Sequence, residues 1–170
     1  PVDFVDLAQF VRKALAPIAE GKDVRLTCTV APNVPLSMAD WEKLRRILEN
    51  LVNNAIKYTH RGGFVRLTIG FEDGETDSHS ESEKADTNAP DGEDAAAGWI
   101  VMRVADDGMG IAPEELDQIF ELYKQAGQSA NRPTELHGGT VTVESRVKEG
   151  STFTVRIPYV PVIEEEDEEA

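Results

Sequence analysis

Three polar side chains recur at helical spacing in one segment of the sequence. Asn50, Asn54 and Lys57 stand at positions i, i+4 and i+7, so on a helix they share a stripe along the edge of its apolar face. A carboxamide oxygen is a neutral, hard ligand that suits Mg²⁺ already neutralised by phosphate oxygens. Asparagines at a helix edge more often simply face water, so this pattern alone does not define a site.

A second cluster, DDGMGI at residues 106–111, directly follows a predicted strand. Gly108 and Gly110 allow backbone geometry and close ligand approach that a side chain would forbid. An aspartate beside such a turn can accept a hydrogen bond from an exocyclic amine. Glycines and aspartates also fill ordinary turns, so this cluster too is weak evidence by itself.

Together the two clusters resemble the N box and the first glycine box of the GHKL ATPase superfamily, specifically those of the catalytic ATP-binding domain of sensor histidine kinases. The stretch LENLVNNAIKYT at residues 48–59 is similar to the N box, and Asp40 to the aspartate that precedes it. IFELY at residues 119–123 resembles the F box, and HGGT at 137–140 with GSTF at 150–153 resembles the closing hairpin. These motifs occur in the family's order and span nearly the whole chain.

The resemblance implies ATP and Mg²⁺ as cofactors and gives the first cluster its roles. Asn54 would coordinate Mg²⁺, Asn50 would support the metal and the phosphates, and Lys57 would neutralise phosphate charge. Asn50 and Lys57 are therefore the implied catalytic residues. Tyr58 would lie against the adenine ring.

The resemblance also assigns the second cluster. Asp106 would accept the adenine amino group, while Gly108 and Gly110 would let the turn pass close to the nucleotide. Ile111 completes the implied nucleotide-contacting set. Asp107 and Met109 occupy positions that vary in the family.

A particular series of helices and strands is needed to position these residues. The predicted elements are a helix over residues 3–19 ended by Gly21, a strand over 24–30, a helix from the N-cap Asp40 to about Tyr58, strands over 64–71 and 99–105, a helix from Pro113, and strands over 140–145 and 152–157. This order predicts an α/β fold, a two-layer α/β sandwich with helices packed on one face of a mixed β-sheet. The resemblance implies the same architecture, the Bergerat fold.

Two apolar arcs are expected to form the core of the helical layer. Residues of similar character recur at about 100° per residue in both long helices. The predicted core positions are Leu7, Phe10, Val11, Ala14, Leu15 and Ile18 in the first helix and Leu44, Ile47, Leu48, Leu51, Ala55 and Tyr58 in the second.

The composition excludes several classes of partner. The 17 Lys and Arg against 32 Asp and Glu give a net charge of −15, which repels a nucleic-acid backbone. Much of this acidity lies in residues 73–97, an expected disordered loop, and in an acidic tail over 162–170. Cys28 is the only cysteine, so an intrachain disulfide or cysteine-based metal site is excluded. The single cysteine fits a reducing, cytoplasmic setting. No run approaches the roughly 18 apolar residues of a membrane-spanning helix, so we expect no direct membrane contact by this segment, whether or not the parent protein is anchored in a membrane.

One part of the family pattern is missing. Between the F box and the His-Gly-Gly strand the family carries an ATP lid, a second glycine box and a helix, whereas here only residues 125–136 intervene. Gly127 is their single glycine, so the second glycine box is absent. That box would place backbone N–H groups and a helix N-terminus against the phosphates, and its loss should weaken triphosphate binding most. We expect one ATPase domain over residues 1–161 with this truncated lid.

The resemblance implies the catalytic domain of a two-component sensor histidine kinase. Such a domain transfers the γ-phosphoryl group of Mg-ATP to a histidine on a separate dimerisation domain, and a response regulator receives it from there. None of His60, His79 and His137 lies where an acceptor would be expected. The missing glycine box supports an alternative, a catalytically silent nucleotide-binding or scaffold module. A third hypothesis is another GHKL class, such as a chaperone or topoisomerase ATPase. The NAIKYT sequence of the N box and the F box argue against it.

Overall fold

The computed structural model describes residues 1–74, 97–115 and 139–163. Their helices and strands are α1 (Phe4–Lys22), β1 (Arg25–Val30), α2 (Trp41–Tyr58), β2 (Phe64–Asp73), β3 (Gly98–Asp106), β4 (Thr140–Arg146) and β5 (Gly150–Pro158). Each corresponds to a predicted element, with ends that differ by a few residues. Of the predicted helix at Pro113, residues 113–115 are helical. Its remainder, the shortened lid, most of the acidic loop and residues 164–170 of the tail lie outside the described residues.

The five strands form one mixed sheet in the order β1-β2-β3-β5-β4. β1 pairs with β2 in parallel, and the other three pairs are antiparallel. A parallel pair requires a crossover connection, which α2 provides here. Both helices pack on the same face of the sheet, α1 mainly on β1 and α2 on β2 and β3. The predicted two-layer α/β sandwich is therefore confirmed.

The core lies between the sheet and the two helices. The central strand β3 has Ile100, Met102 and Val104 fully buried at alternate positions, as the two-residue period of a strand requires. Leu7 and Val11 of α1 cover the same layer and are also fully buried.

The end and the buried face of α1 differ from the prediction. The helix continues through Gly21 and ends at Asp23, which adopts a left-handed conformation with φ of 59°. Phe10 and Ile18 remain nearly half exposed. The Phe10 ring lies at the edge of the core against Trp41 of α2, with the ring centroids 6.1 Å apart. Leu15 is buried as predicted, Ala14 is exposed, and Ala19 is buried although it was not among the predicted core positions.

The buried arc of α2 is wider than predicted, and it excludes the last predicted member. Leu44, Leu48, Leu51 and Ala55 are buried as expected, and Val52 and Ile56 are buried as well, because α1 covers a second flank of the helix. Tyr58 is 51% exposed. As the final residue of α2, it stands beyond the core.

No helix within the described residues combines the length and the apolar character that crossing a membrane requires.

Candidate functional site

The helix α2 presents the predicted polar stripe along its exposed side. Asp40 caps its first turn by accepting a hydrogen bond from the backbone N–H of Lys43 at 3.1 Å. From this fixed start, the helical period places Asn50, Asn54 and Lys57 on the exposed edge. Their carboxamides and ammonium group are therefore accessible to a ligand.

The turn after β3 lies directly against the end of α2. The N–H of Met109 donates to the carbonyl of Tyr58 at 3.3 Å, and a Cβ atom at Gly108 would lie only 2.5 Å from that same carbonyl oxygen. A side chain at position 108 would separate the two elements. The structure thus brings Tyr58 and the glycine turn together, although they are far apart in the sequence.

Gly110 and Gly150 join the turn to the β4–β5 hairpin. Gly110 has φ of 70°, and a Cβ atom there would overlap the carbonyl of Arg146. Gly150 has φ of 109°, and its Cβ would overlap the carbonyl of Asp106. Glycine adopts this left-handed backbone conformation easily and has no Cβ atom. At both positions the neighbouring carbonyl group therefore occupies the space that a side chain would need.

The carboxylate of Asp106 is half-buried at the base of the turn. It accepts the N–H of Gly108 at 2.9 Å. Burial raises the pKa of this carboxyl above its ordinary value of 3.8, hydrogen bonds from the backbone of Gly108 and Ser151 oppose that rise, and the neighbouring charge of Asp107 adds to it. A carboxylate with little access to water gains from a further hydrogen-bond donor brought by a ligand.

Two residues that hold the turn were not predicted. Asp107 accepts the N–H of Phe64 at 2.8 Å, which links the turn to the start of β2. Ser145 accepts the N–H of Ile111 at 2.7 Å, and its hydroxyl lies 2.7 Å from that of Ser151. Ser145 and Ser151 are cross-strand partners, and pairing the two predicted hairpin strands residue by residue across their turn would have given a signal for this pair.

The exposed ring of Tyr58 stands beside the ammonium group of Lys57, whose Nζ lies 5.5 Å from the ring centroid. The ring and the cation are therefore neighbours at the point where α2 meets the turn. An aromatic surface and a positive charge at one place suit a flat heterocycle carrying an anionic group.

The donor set at this site contains amide oxygens rather than a charged cage. In the part of the chain that the structure describes, no group of three or more His, Cys, Asp or Glu could hold a metal ion. A divalent cation bound beside Asn50 and Asn54 would therefore need anionic oxygens from its ligand. This matches Mg²⁺, which keeps several waters and is bound by few protein groups together with phosphates.

The sequence matches one family along most of its length. The model described as histidine kinase-, DNA gyrase B- and HSP90-like ATPase covers residues 39–161. Histidine kinase 5 of Arabidopsis thaliana is 33% identical over 154 residues, covering 81% of this chain and 17% of that protein. Histidine protein kinase DivJ of Caulobacter vibrioides is 33% identical over 135 residues, covering 72% of this chain and 19% of that protein. The chain thus spans less than a fifth of these two relatives.

Solved structures show the same architecture. Full-length ShkA in complex with AMPPNP has a TM-score of 0.71 and 28% identity, covering 96% of this chain and 32% of that one. The catalytic domain of histidine kinase ThkA has a TM-score of 0.66 and 21% identity, covering 94% of this chain and 95% of that one. The fold of the described residues is thus also the fold of the ThkA catalytic domain.

Proposed function

The chain belongs to the histidine kinase-, DNA gyrase B- and HSP90-like ATPase family, and from that premise we propose how its ATP site is built. Adenine binds where the end of α2 meets the turn at residues 106–110, and the phosphates extend along Asn50, Asn54 and Lys57. The chain then acts as the catalytic domain of a sensor histidine kinase.

Asp106 carries the adenine part of this proposal. Its half-buried carboxylate can accept a hydrogen bond from the exocyclic amino group of adenine, whereas guanine presents a carbonyl oxygen at the corresponding position. Gly108 has no side chain to hold the turn away from the end of α2. The exposed ring of Tyr58 offers an apolar surface at the same place. These features support recognition of ATP over GTP, since an unmatched buried carboxylate is costly.

Mg²⁺ fits the amide donors of α2 when it arrives with the nucleotide. We assign Asn54 as the residue that would hold it and Asn50 as a support for metal and phosphates. When bound, the ion neutralises phosphate charge. Lys57 supplies a further positive charge from the last turn of the same helix, so Asn50 and Lys57 act on the group that is transferred.

The proposed reaction moves the γ-phosphoryl group to a histidine on a separate dimerisation domain. The bond from the γ-phosphorus to the β–γ bridging oxygen breaks, a P–N bond to the imidazole forms, and ADP leaves. The protein contributes positioning and charge neutralisation to such a transfer. A response regulator is the proposed next acceptor; for comparison, ThkA has been solved in complex with the response regulator TrrA. We place this reaction in the cytoplasm.

The alternative of a catalytically silent module is not favoured, because the relatives are named as kinases. The missing second glycine box still has a consequence for the proposal. Fewer backbone N–H groups should contact the phosphates, so ATP should gain less affinity over adenosine than in a complete family member.

Calorimetric titration of the 170-residue chain with ATP and GTP, with and without Mg²⁺, tests the binding site. We expect saturable ATP binding that Mg²⁺ strengthens and GTP binding at least about tenfold weaker, as one unmatched polar group at a ligand-binding site implies. Adding the histidine-bearing dimerisation domain with γ-labelled ATP should then label that domain. Equal affinity for ATP and GTP would contradict the role of Asp106, and absence of labelling would contradict the kinase assignment.

A further inference from the structure

We infer that Lys22 is a positioning residue of the nucleotide site, acting through the last turn of α2. This inference rests on the proposed function. Lys22 is the last residue of α1, and its ammonium group donates to the carbonyl of Ile56 at 3.0 Å and to the carbonyl of Lys57. A side chain from one helix thus caps the carboxyl end of the helix that carries Asn50, Asn54 and Lys57.

The last four carbonyls of a helix have no partner within the helix, and in α2 each has one elsewhere. Thr59 donates to Ala55 through its hydroxyl at 2.6 Å and to Ile56 through its backbone N–H at 3.3 Å. Met109 donates to Tyr58. Lys22 serves Ile56 and Lys57, and it brings the positive charge that favours a helix carboxyl end.

The position of Lys22 is fixed by backbone hydrogen bonds of the residues that follow it. Directly after it, the carbonyl of Asp23 accepts the N–H of Gly62 at 2.7 Å, and the N–H of Arg25 donates to Gly63 at 2.9 Å. These bonds connect the loop after α1 to the loop after α2. The Lys22 ammonium is therefore held against the end of α2 by the fold.

This contact has a consequence for Lys57, which lies in the same last turn. Unpartnered carbonyls at a helix end attract nearby cations, and Lys57 is the nearest cation on α2 itself. With Lys22 on the carbonyls of Ile56 and Lys57, the side chain of Lys57 remains available to phosphate. Lys22 also holds the carbonyl end of the turn from which Tyr58 projects.

Lys22→Met tests this role by removing the ammonium while keeping a side chain of similar length. We expect ATP affinity to fall about three- to tenfold, the size of effect expected from the net loss of about one hydrogen bond. Lys22→Arg keeps a cation with several donors and should restore the affinity to within about twofold. Lys22→Gln keeps a donor without the charge and should lie between these two variants. Lys13→Met changes an exposed lysine of the same helix and should leave the affinity unchanged.

A double-mutant cycle separates positioning from general destabilisation. In a Lys57→Met background, Lys22→Met should change ATP affinity by less than about twofold, because the residue through which it acts is gone. A merely structural role would give the same fold-change in both backgrounds. Thermal unfolding is followed for each variant, and Lys22→Gln takes the place of Lys22→Met in the cycle if the latter does not fold.

The outcomes distinguish this inference from the proposed function. If the unmodified chain binds no ATP, both are overturned. If the unmodified chain binds ATP and folded Lys22→Met binds it equally well, or if the two substitutions are additive, the role of Lys22 alone is overturned. A coupled loss with rescue by arginine supports it.

Discussion

The two halves of the proposed ATP site are constructed in different ways. The turn at residues 106–110 is fixed by backbone hydrogen bonds, which run from Met109 to Tyr58 at the end of α2, from Asp107 to Phe64 of β2 and from Lys148 of the hairpin to Met109. The stripe of Asn50, Asn54 and Lys57 consists of exposed side chains that only the helical period keeps in line. Substitutions of the glycines in the turn should therefore disturb folding and adenine binding together. Substitutions in the stripe should disturb phosphate and metal binding while the fold remains intact.

The largest effect should follow from Gly110→Ala, which tests whether the turn half is structural. The left-handed backbone and the overlap with the carbonyl of Arg146 should cost about 3 kcal/mol of unfolding free energy, and ATP binding should be lost. Urea unfolding and calorimetry provide the two measurements. Gly21→Ala is the matched control, because nothing lies near a Cβ atom there and alanine favours a helix. Unchanged stability of Gly110→Ala would remove the basis of the comparison.

Asp106→Asn should separate binding from folding within the turn. Loss of the charged acceptor should weaken ATP binding by about ten- to a hundredfold, the range of a hydrogen bond to a charged group. The unfolding free energy should not fall, because burial already disfavours the ionised carboxyl. Asp107→Asn is the control, since its amide oxygen can still accept the N–H of Phe64. Equal losses in both variants would show that the turn does not distinguish the two aspartates.

Asn54→Ala should affect the stripe half alone. We expect ATP affinity in the presence of Mg²⁺ to fall roughly tenfold, as the loss of one polar contact to a charged group predicts. Without Mg²⁺, and in urea unfolding, the variant should match the unmodified chain. Asn53→Ala alters the neighbouring exposed asparagine, which is off the stripe, and should have no effect on either affinity. A loss that is the same with and without Mg²⁺ would show that Asn54 does not serve the metal.

A smaller effect is expected when the pH is changed. The pKa of Asp106 is raised above 3.8 by burial, so acid protonates the adenine acceptor before an ordinary aspartate would be protonated. The ratio of ATP affinities, unmodified chain over Asp106→Asn, should fall as the pH decreases through that raised pKa. Stability has the opposite sign: the contribution of Asp106 is fully present below its unfolded pKa and is lost as the pH rises through the folded one. A pH-independent affinity ratio would contradict ionised Asp106 as the acceptor.

The positions of the stripe residues could be predicted from the sequence, whereas those of the turn residues could be predicted only in part. Asp40 and the apolar period fix the start and the phase of α2, so the exposure of Asn54 follows from local rules. The contact between Tyr58 and Gly108 joins residues distant in the chain, and no local pattern contains it. Tyr58 was accordingly predicted to lie in the core. The roles of Asp107 and Ser145 were missed for the same reason, since the hydrogen bonds that they accept from Phe64 and Ile111 join residues far apart in the chain.

The end of α1 shows a similar division. Gly21 is a common type of helix-ending residue, and the local rule predicted a stop there. The helix instead runs to Lys22, and Asp23 adopts the left-handed conformation. Contacts from the loop after α2 accompany this extension, and they place Lys22 within reach of Ile56. Tertiary contacts thus extend α1 beyond its predicted end, and this extension brings Lys22 to the carboxyl end of α2.

The close contacts at Gly110 and Gly150 also imply an order in which the nucleotide site forms during synthesis. A nascent chain that has emerged only as far as β3 already contains Asp106, Tyr58 and the whole polar stripe. It lacks the hairpin whose residues Arg146 and Gly150 lie against the turn. Such a fragment should form helices and the first strands without acquiring nucleotide affinity. ATP added during translation should therefore stabilise the chain only after Gly150 has left the ribosome.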